Sequence, residues 1–138
     1  MIASSTAVLD TGPLTAAADA GDPDHARCVE VLQRIDFVIP ALVVAEATYL
    51  LSGAVGPQAE ARFIRGLERF DVVGPTPRDF VRMAELMERY ADFPLGGTDA
   101  SVIALAERLG VDTIITLDRR HFSVVRPRHV ERFTLLPA

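Results

Sequence analysis

Four short apolar runs punctuate the chain: Thr6-Ala7-Val8-Leu9, Phe37-Val38-Ile39, Phe70-Asp71-Val72-Val73 and Thr113-Ile114-Ile115-Thr116-Leu117. Stretches long enough for helices separate them. Strands spaced in this way do not close as tight hairpins; each reaches the next through a crossover, and crossovers give a mainly parallel sheet with helices on its faces. The alternation predicts an α/β fold. Helices are expected over 14–20, from an Asp24 cap to 34, and over 41–51, 57–67, 77–90 and 99–109. In the 77–90 segment Phe80, Val81, Ala84 and Met87 recur at helical spacing. Val124-Val125 and Phe133-Thr134-Leu135 are further strand candidates near the end. No repeat, low-complexity tract or long linker interrupts the 138 residues, so one domain over 1–138 is expected.

Composition narrows the chemistry. With 49% hydrophobic and 24% charged residues the chain can build a packed core. No apolar run approaches the roughly 20 residues that span a bilayer, so no membrane partner is expected. Residues 1–5 carry no basic leader, and a cytoplasmic location is the expectation. Cys28, the single cysteine, makes neither an internal disulfide nor a cysteine metal site, and is read as a core or interface residue. All 14 basic residues are arginine. Without lysine there is no P-loop and no Schiff-base chemistry. The net charge of −5 is unevenly spread: residues 1–118 hold 18 acids against nine arginines, whereas residues 119–138 hold five arginines against Glu131 alone. An acidic body with a basic end suits a metal site beside a strip that contacts phosphates.

Most of the acids read as helix-surface charges, but four stand apart. Asp10 and Asp118 each follow an apolar run at its carboxyl end, where open α/β sheets bind ligands. Glu46 is the only charge between Asp36 and Glu60, and Asp99 the only one between Asp92 and Glu107, at a helix start where Thr98 is the expected cap. Each has a plainer reading. Asp10 suits a turn, Asp99 suits a helix dipole, and Asp118 suits an ion pair with Arg119 or Arg120. Glu46 has the least convincing one, because a carboxylate buried on an apolar helix is costly unless it is paired or binds a metal. Four acids on one sheet edge repel one another, two unit charges about 4 Å apart costing about 4 kcal/mol at an effective dielectric of 20. A divalent cation removes that cost, and carboxylate and water ligands suit Mg2+ or Mn2+.

Asp10-Thr11, Glu46, the segment Thr98-Asp99-Ala100-Ser101-Val102-Ile103-Ala104 and the segment Thr116-Leu117-Asp118-Arg119-Arg120-His121-Phe122 together resemble the PIN-domain ribonucleases, and most nearly the VapC toxins of bacterial toxin–antitoxin pairs. The resemblance implies a parallel sheet of strand order 3-2-1-4-5, an acidic Mg2+/Mn2+ site and single-strand-selective endoribonuclease activity. By the same resemblance Asp10, Glu46 and Asp99 match the core acids and Asp118 the more variable fourth, while Thr11 and Thr116 match hydroxyls that shape the site. Gly12 departs from the pattern, standing where many relatives carry a polar residue. The resemblance also implies a homodimer and an antitoxin partner, for which Leu50, Leu51, Val55, Phe63, Ile64 and Leu67 offer apolar surface, half of it expected in the core.

Two other functions compete with this one. Leu9-Asp10-Thr11-Gly12 contains the D-T-G of aspartic proteases, short forms of which are dimers, but that fold is nearly all β and leaves Glu46 and Asp99 unexplained. A catalytically inactive binding module of PIN type is the other. A receiver domain needs a lysine, and a haloacid-dehalogenase-type phosphatase needs an aspartate where Gly12 stands. Asp92 is read as a loop acid. His25, His121 and His129 show no metal-ligand spacing and are assigned no catalysis. Arg119 and Arg126 are the candidates for gripping RNA, with Arg120 and Arg132 expected to pair with surface acids.

Overall fold

The structure, a computed structural model, describes residues 6–138; residues 1–5, on which the expectation of no basic leader rests, lie outside the described residues. Five strands, β1 (Ala7–Leu9), β2 (Phe37–Pro40), β3 (Val72–Val73), β4 (Thr113–Ile115) and β5 (Thr134–Leu136), pair in parallel in the order β3-β2-β1-β4-β5. β1 is central, with Val8 opposite Val38 on one side and Ile114 on the other. Ala7, Val8 and Leu9 are wholly buried, because helices cover both faces of the sheet. That is why the run is continuously apolar rather than alternating. The chain builds outward from β1 to β3, then returns to add β4 and β5 on the other side. The reversal falls between β1 and β4, and the crevice beyond their carboxyl ends is where such sheets take ligands.

Helices α1 (Thr11–Ala18) and α2 (His25–Arg34) join β1 to β2. α3 (Ala41–Val55), α4 (Pro57–Gly66) and a 3-10 turn over Leu67–Arg69 lead to β3. α5 (Pro77–Arg89) and α6 (Gly97–Leu109) lead to β4, and α7 (Arg119–Val124) precedes β5. α5 starts with a capping box: Thr76 Oγ1 accepts the Asp79 N–H at 3.1 Å, and the Asp79 carboxylate accepts the Thr76 N–H at 3.0 Å. α6 is buried from Ala100 through Ala106 on all sides, as a helix with so few polar positions must be. Gly110, at φ 70°, ends it in the left-handed conformation that glycine adopts without strain. Arg82 holds Glu107 through two hydrogen bonds of 2.7 and 2.9 Å, and Glu107 also accepts the Arg128 N–H, so the loop before β5 is tied to α5 and α6.

Several local expectations are corrected. α1 begins at Thr11 rather than at 14, because Pro13 lies in the first turn, where helix N–H groups have no partner to lose. α3 continues through Ser52 and Gly53 to Val55. α6 starts from Gly96, which takes the cap position expected for Thr98. Val124 ends α7, so Val124-Val125 is no strand; Asp118 caps a helix there, and two β-branched residues do not outweigh it. Leu51 belongs to the core, whereas Leu50 and Ile64 are exposed. In α5 the core face is Met83 and Leu86, and Phe80, Val81, Ala84 and Met87 face outward.

Candidate active site

Because Leu9 lies opposite Ile115, the residues that follow β1 and β4 meet at the carboxyl edge of the sheet. The Asp10 N–H donates to the Ile115 carbonyl at 2.9 Å, and the Thr116 hydroxyl donates to Asp10 Oδ2 at 2.8 Å. The same Thr116 oxygen accepts the Asp118 N–H at 2.9 Å. Thr116 thus links the first and fourth of the singled-out acids. Asp118 in turn caps α7: Oδ1 accepts the His121 N–H at 3.0 Å, and Oδ2 lies 2.8 Å from His121 Nδ1. Asp118 pairs with this histidine, and the plainer reading of an ion pair with Arg119 or Arg120 is not what forms.

Asp10 is only 6% exposed. Burial raises its pKa to about 6; the Thr116 hydrogen bond holds it down, and the charges of Asp99 and Glu46 push it up. Asp99, in the first turn of α6, is raised by burial and by the charge of Asp118, with His121 opposing and Glu46 adding. Asp10 therefore feels Asp99 and Glu46, while Asp99 feels Asp118 and Glu46. Glu46 is exposed on α3, which removes the argument that its burial is costly; its field at Asp10 and Asp99 is what ties it to the edge. The Thr11 hydroxyl, at the start of α1, is buried with no hydrogen-bond partner among the described residues. Also among the described residues, no three His, Cys, Asp or Glu side chains close into a ready-made metal cage.

The remaining candidates divide. Asp92 is an exposed acid in the turn after α5. Arg119 extends to the end of β5, donating to the carbonyls of Pro137 at 3.0 Å and Leu135 at 3.4 Å. Arg126 is exposed, its backbone N–H held by the Tyr90 hydroxyl. Arg120 does not pair with a surface acid as expected; its guanidinium lies 5.0 Å from the centre of the Phe93 ring. His121 is the residue that sequence reasoning missed. Its signal was its place three residues after a strand-end aspartate, the spacing at which a capping side chain meets the helix it starts.

Three kinds of likeness bear on this edge. The PIN domain family model matches residues 7–126. Ribonuclease VapC26 of Mycobacterium tuberculosis is 37% identical over 134 residues, which span 94% of this chain and 99% of the relative. Among solved structures, VapC20 of Mycobacterium tuberculosis, a Sarcin-Ricin loop cleaving toxin, is 21% identical with a TM-score of 0.72 and covers 78% of this chain and 85% of its own. The DNA-bound VapBC from Salmonella typhimurium is 19% identical with a TM-score of 0.70, covering 94% and 97%. At those identities the two structures speak for the fold.

Proposed function

Since this chain belongs to the PIN domain family, in its VapC branch, we propose that it is a Mg2+- or Mn2+-dependent endoribonuclease, the toxin of a toxin–antitoxin pair, which hydrolyses phosphodiester bonds in structured RNA such as tRNA, rRNA or mRNA. The observation that carries the reading is Asp10: a carboxyl buried at the sheet's reversal point, made costly to ionise by its surroundings and by two neighbouring acids. A fold tolerates such a group where a ligand offsets the cost.

The donors present are hard oxygens, and they fit a magnesium- or manganese-type ion. Mg2+ is commonly held by one or two carboxylates and keeps several waters, so an open edge of acids suits it better than a closed cage. In this reading Asp10, Asp99 and Glu46 hold the ion, with Asp118 assisting and the unpartnered Thr11 hydroxyl free to bond a water in its shell. When bound, the ion lowers the pKa of water for in-line attack at phosphorus and neutralises the charge that develops there. Thr116 fixes the Asp10 carboxylate through Oδ2. His121 holds Asp118 in place through the 2.8 Å contact. Arg119 and Arg126 bind the RNA backbone along the basic end. No protein nucleophile is required.

The whole chain forms one domain in this reading, since β5 completes the sheet beyond the matched residues. Exposed Tyr49 and Leu50 on α3, with Phe80 and Val81 on α5, supply apolar surface for a homodimer, and an antitoxin restrains the activity in the cytoplasm. No described helix is long and apolar enough to cross a membrane. The protease alternative loses its premise, because Thr11 and Gly12 open a helix in a parallel α/β fold.

The test is cleavage of total cellular RNA by the purified chain in Mg2+ or Mn2+. Cleavage that stops with EDTA and with Asp10→Asn supports the reading. Full cleavage by Asp10→Asn overturns the site, and binding of RNA without cleavage under any divalent cation supports the inactive binding module instead.

A further inference from the structure

From Asp118 a chain of contacts leads outward, away from the acids. Asp118 holds His121 at 2.8 Å. The His121 ring packs on the Phe93 ring with centroids 4.7 Å apart and planes tilted by 43°. Phe93 in turn carries the Arg120 guanidinium, 5.0 Å from its ring centre. Phe93 comes from the loop between α5 and α6, while Arg120 and His121 come from the first turn of α7. Two separate segments thus meet at the rim of the acidic edge and bring a guanidinium and an imidazole onto one aromatic ring. Arg120 is exposed, and no ion pair engages it among the described residues, so its face away from Phe93 is open to solvent.

An arginine used only for charge extends into water or meets a carboxylate. This one lies over an aromatic ring instead, its central carbon 5.0 Å from the Phe93 ring centre. A guanidinium plane backed by an aromatic ring is a surface on which nucleobases stack, and unpaired bases are read in this way in single-stranded RNA. Resting on the proposed ribonuclease reading, we propose that Arg120 seated on Phe93 is a base-stacking subsite, which receives the base of an unpaired nucleotide whose phosphate lies at the acidic edge. Stacking recognises the flat face common to all bases, so the subsite selects an unstacked nucleotide rather than a particular one.

The experiment uses the full chain carrying Asp10→Asn, in Mg2+, with two fluorescent probes: a decaadenylate RNA and an abasic decamer of the same backbone. Arg120→Lys keeps the positive charge and loses the plane; Phe93→Leu keeps apolar bulk and loses the ring. Each is expected to weaken decaadenylate binding about tenfold and to leave abasic binding within about twofold, in keeping with the measured worth of one stacked base. Equal affinity for decaadenylate in the parent and in both variants overturns the subsite, as does an equal weakening on both probes, which would mark Arg120 as a phosphate contact. Unchanged RNA binding with loss of a protein partner also overturns it, assigning the stack to that partner. If neither the Asp10→Asn parent nor the unmodified chain binds either probe, or if the Asp10→Asn parent cleaves them, the ribonuclease reading itself has failed, and that result is distinct from the others. Circular dichroism and thermal midpoints of both variants check that the fold is retained.

Discussion

The Thr116 hydroxyl donates to Asp10 Oδ2 at 2.8 Å while accepting the Asp118 N–H at 2.9 Å, so one buried side chain orients one acid and positions the next. Replacing Thr116 by Val leaves the Asp10 oxygen and the Asp118 N–H without this partner, at a cost of about 1–3 kcal/mol. The missing hydrogen bond also stops holding the Asp10 pKa down, so the value rises beyond about 6. The acid limb of the pH–rate profile is expected to move to higher pH in Thr116→Val. Thr116→Ser, which keeps both bonds, is expected to stay near the parent; a Val variant with an unmoved acid limb would contradict the role.

Asp10 makes stability depend on pH in an unusual direction. Unfolded, the carboxyl titrates near its ordinary 3.8; folded, near 6. The native state therefore binds this proton more tightly, and the contribution to stability falls as pH rises from about 4 to about 6. Above that the full cost, on the order of 2–3 kcal/mol, is present. Asp10→Asn carries no charge and is expected to raise the thermal midpoint by several degrees at pH 7.5, with the gain vanishing by about pH 4. Thermal denaturation of both proteins across that range measures it.

Divalent cations are expected to stabilise the unmodified chain. At 100 times its dissociation constant a ligand adds about 2.7 kcal/mol. At the proposed site Mg2+ would compete with the proton on Asp10, so the rise in midpoint is expected to be larger at pH 7.5 than at pH 5 and nearly absent in Asp10→Asn. Equal rises in both proteins at both pH values would mean that the cation binds elsewhere.

The basic end predicts a salt dependence. Every phosphate of a single strand that an arginine no longer neutralises lowers the slope of log affinity against log salt by about 0.7. Arg119→Ala combined with Arg126→Ala is expected to weaken RNA binding at low salt, to flatten that slope and to leave the Mg2+-induced rise in midpoint intact. An unchanged slope would place the grip outside these two arginines.

Much of the edge is legible in the chain. A short apolar run that stops on an acid announces a strand end, and that pattern singles out Asp10 and Asp118. Glu46 stands out for a reason the structure removes: isolation among apolar residues suggests burial, yet its side chain faces solvent. Asp99 is legible too, but with the wrong cap, because Gly96 supplies the extended backbone expected of a threonine. Val124-Val125 misleads, since β-preference over two residues is weaker than a capping aspartate six residues before Val124. The Phe93–Arg120 contact is illegible, because only the folding of α5 and α6 brings the two segments together. The outward face of α5 is hidden for a related reason, since helical spacing marks a stripe without saying whether it meets the core or a partner.

The hydroxyl bridge spans 106 residues of sequence. β4 reaches β1 only after β2, β3 and six helices have been made, because it inserts on the opposite side of the first strand. Pairings so distant in sequence form late in folding. During synthesis, then, a growing chain carries Asp10 and Glu46 long before it carries Thr116, the residue that aligns Asp10. On the proposed reading, the acidic edge is assembled only when the sheet closes.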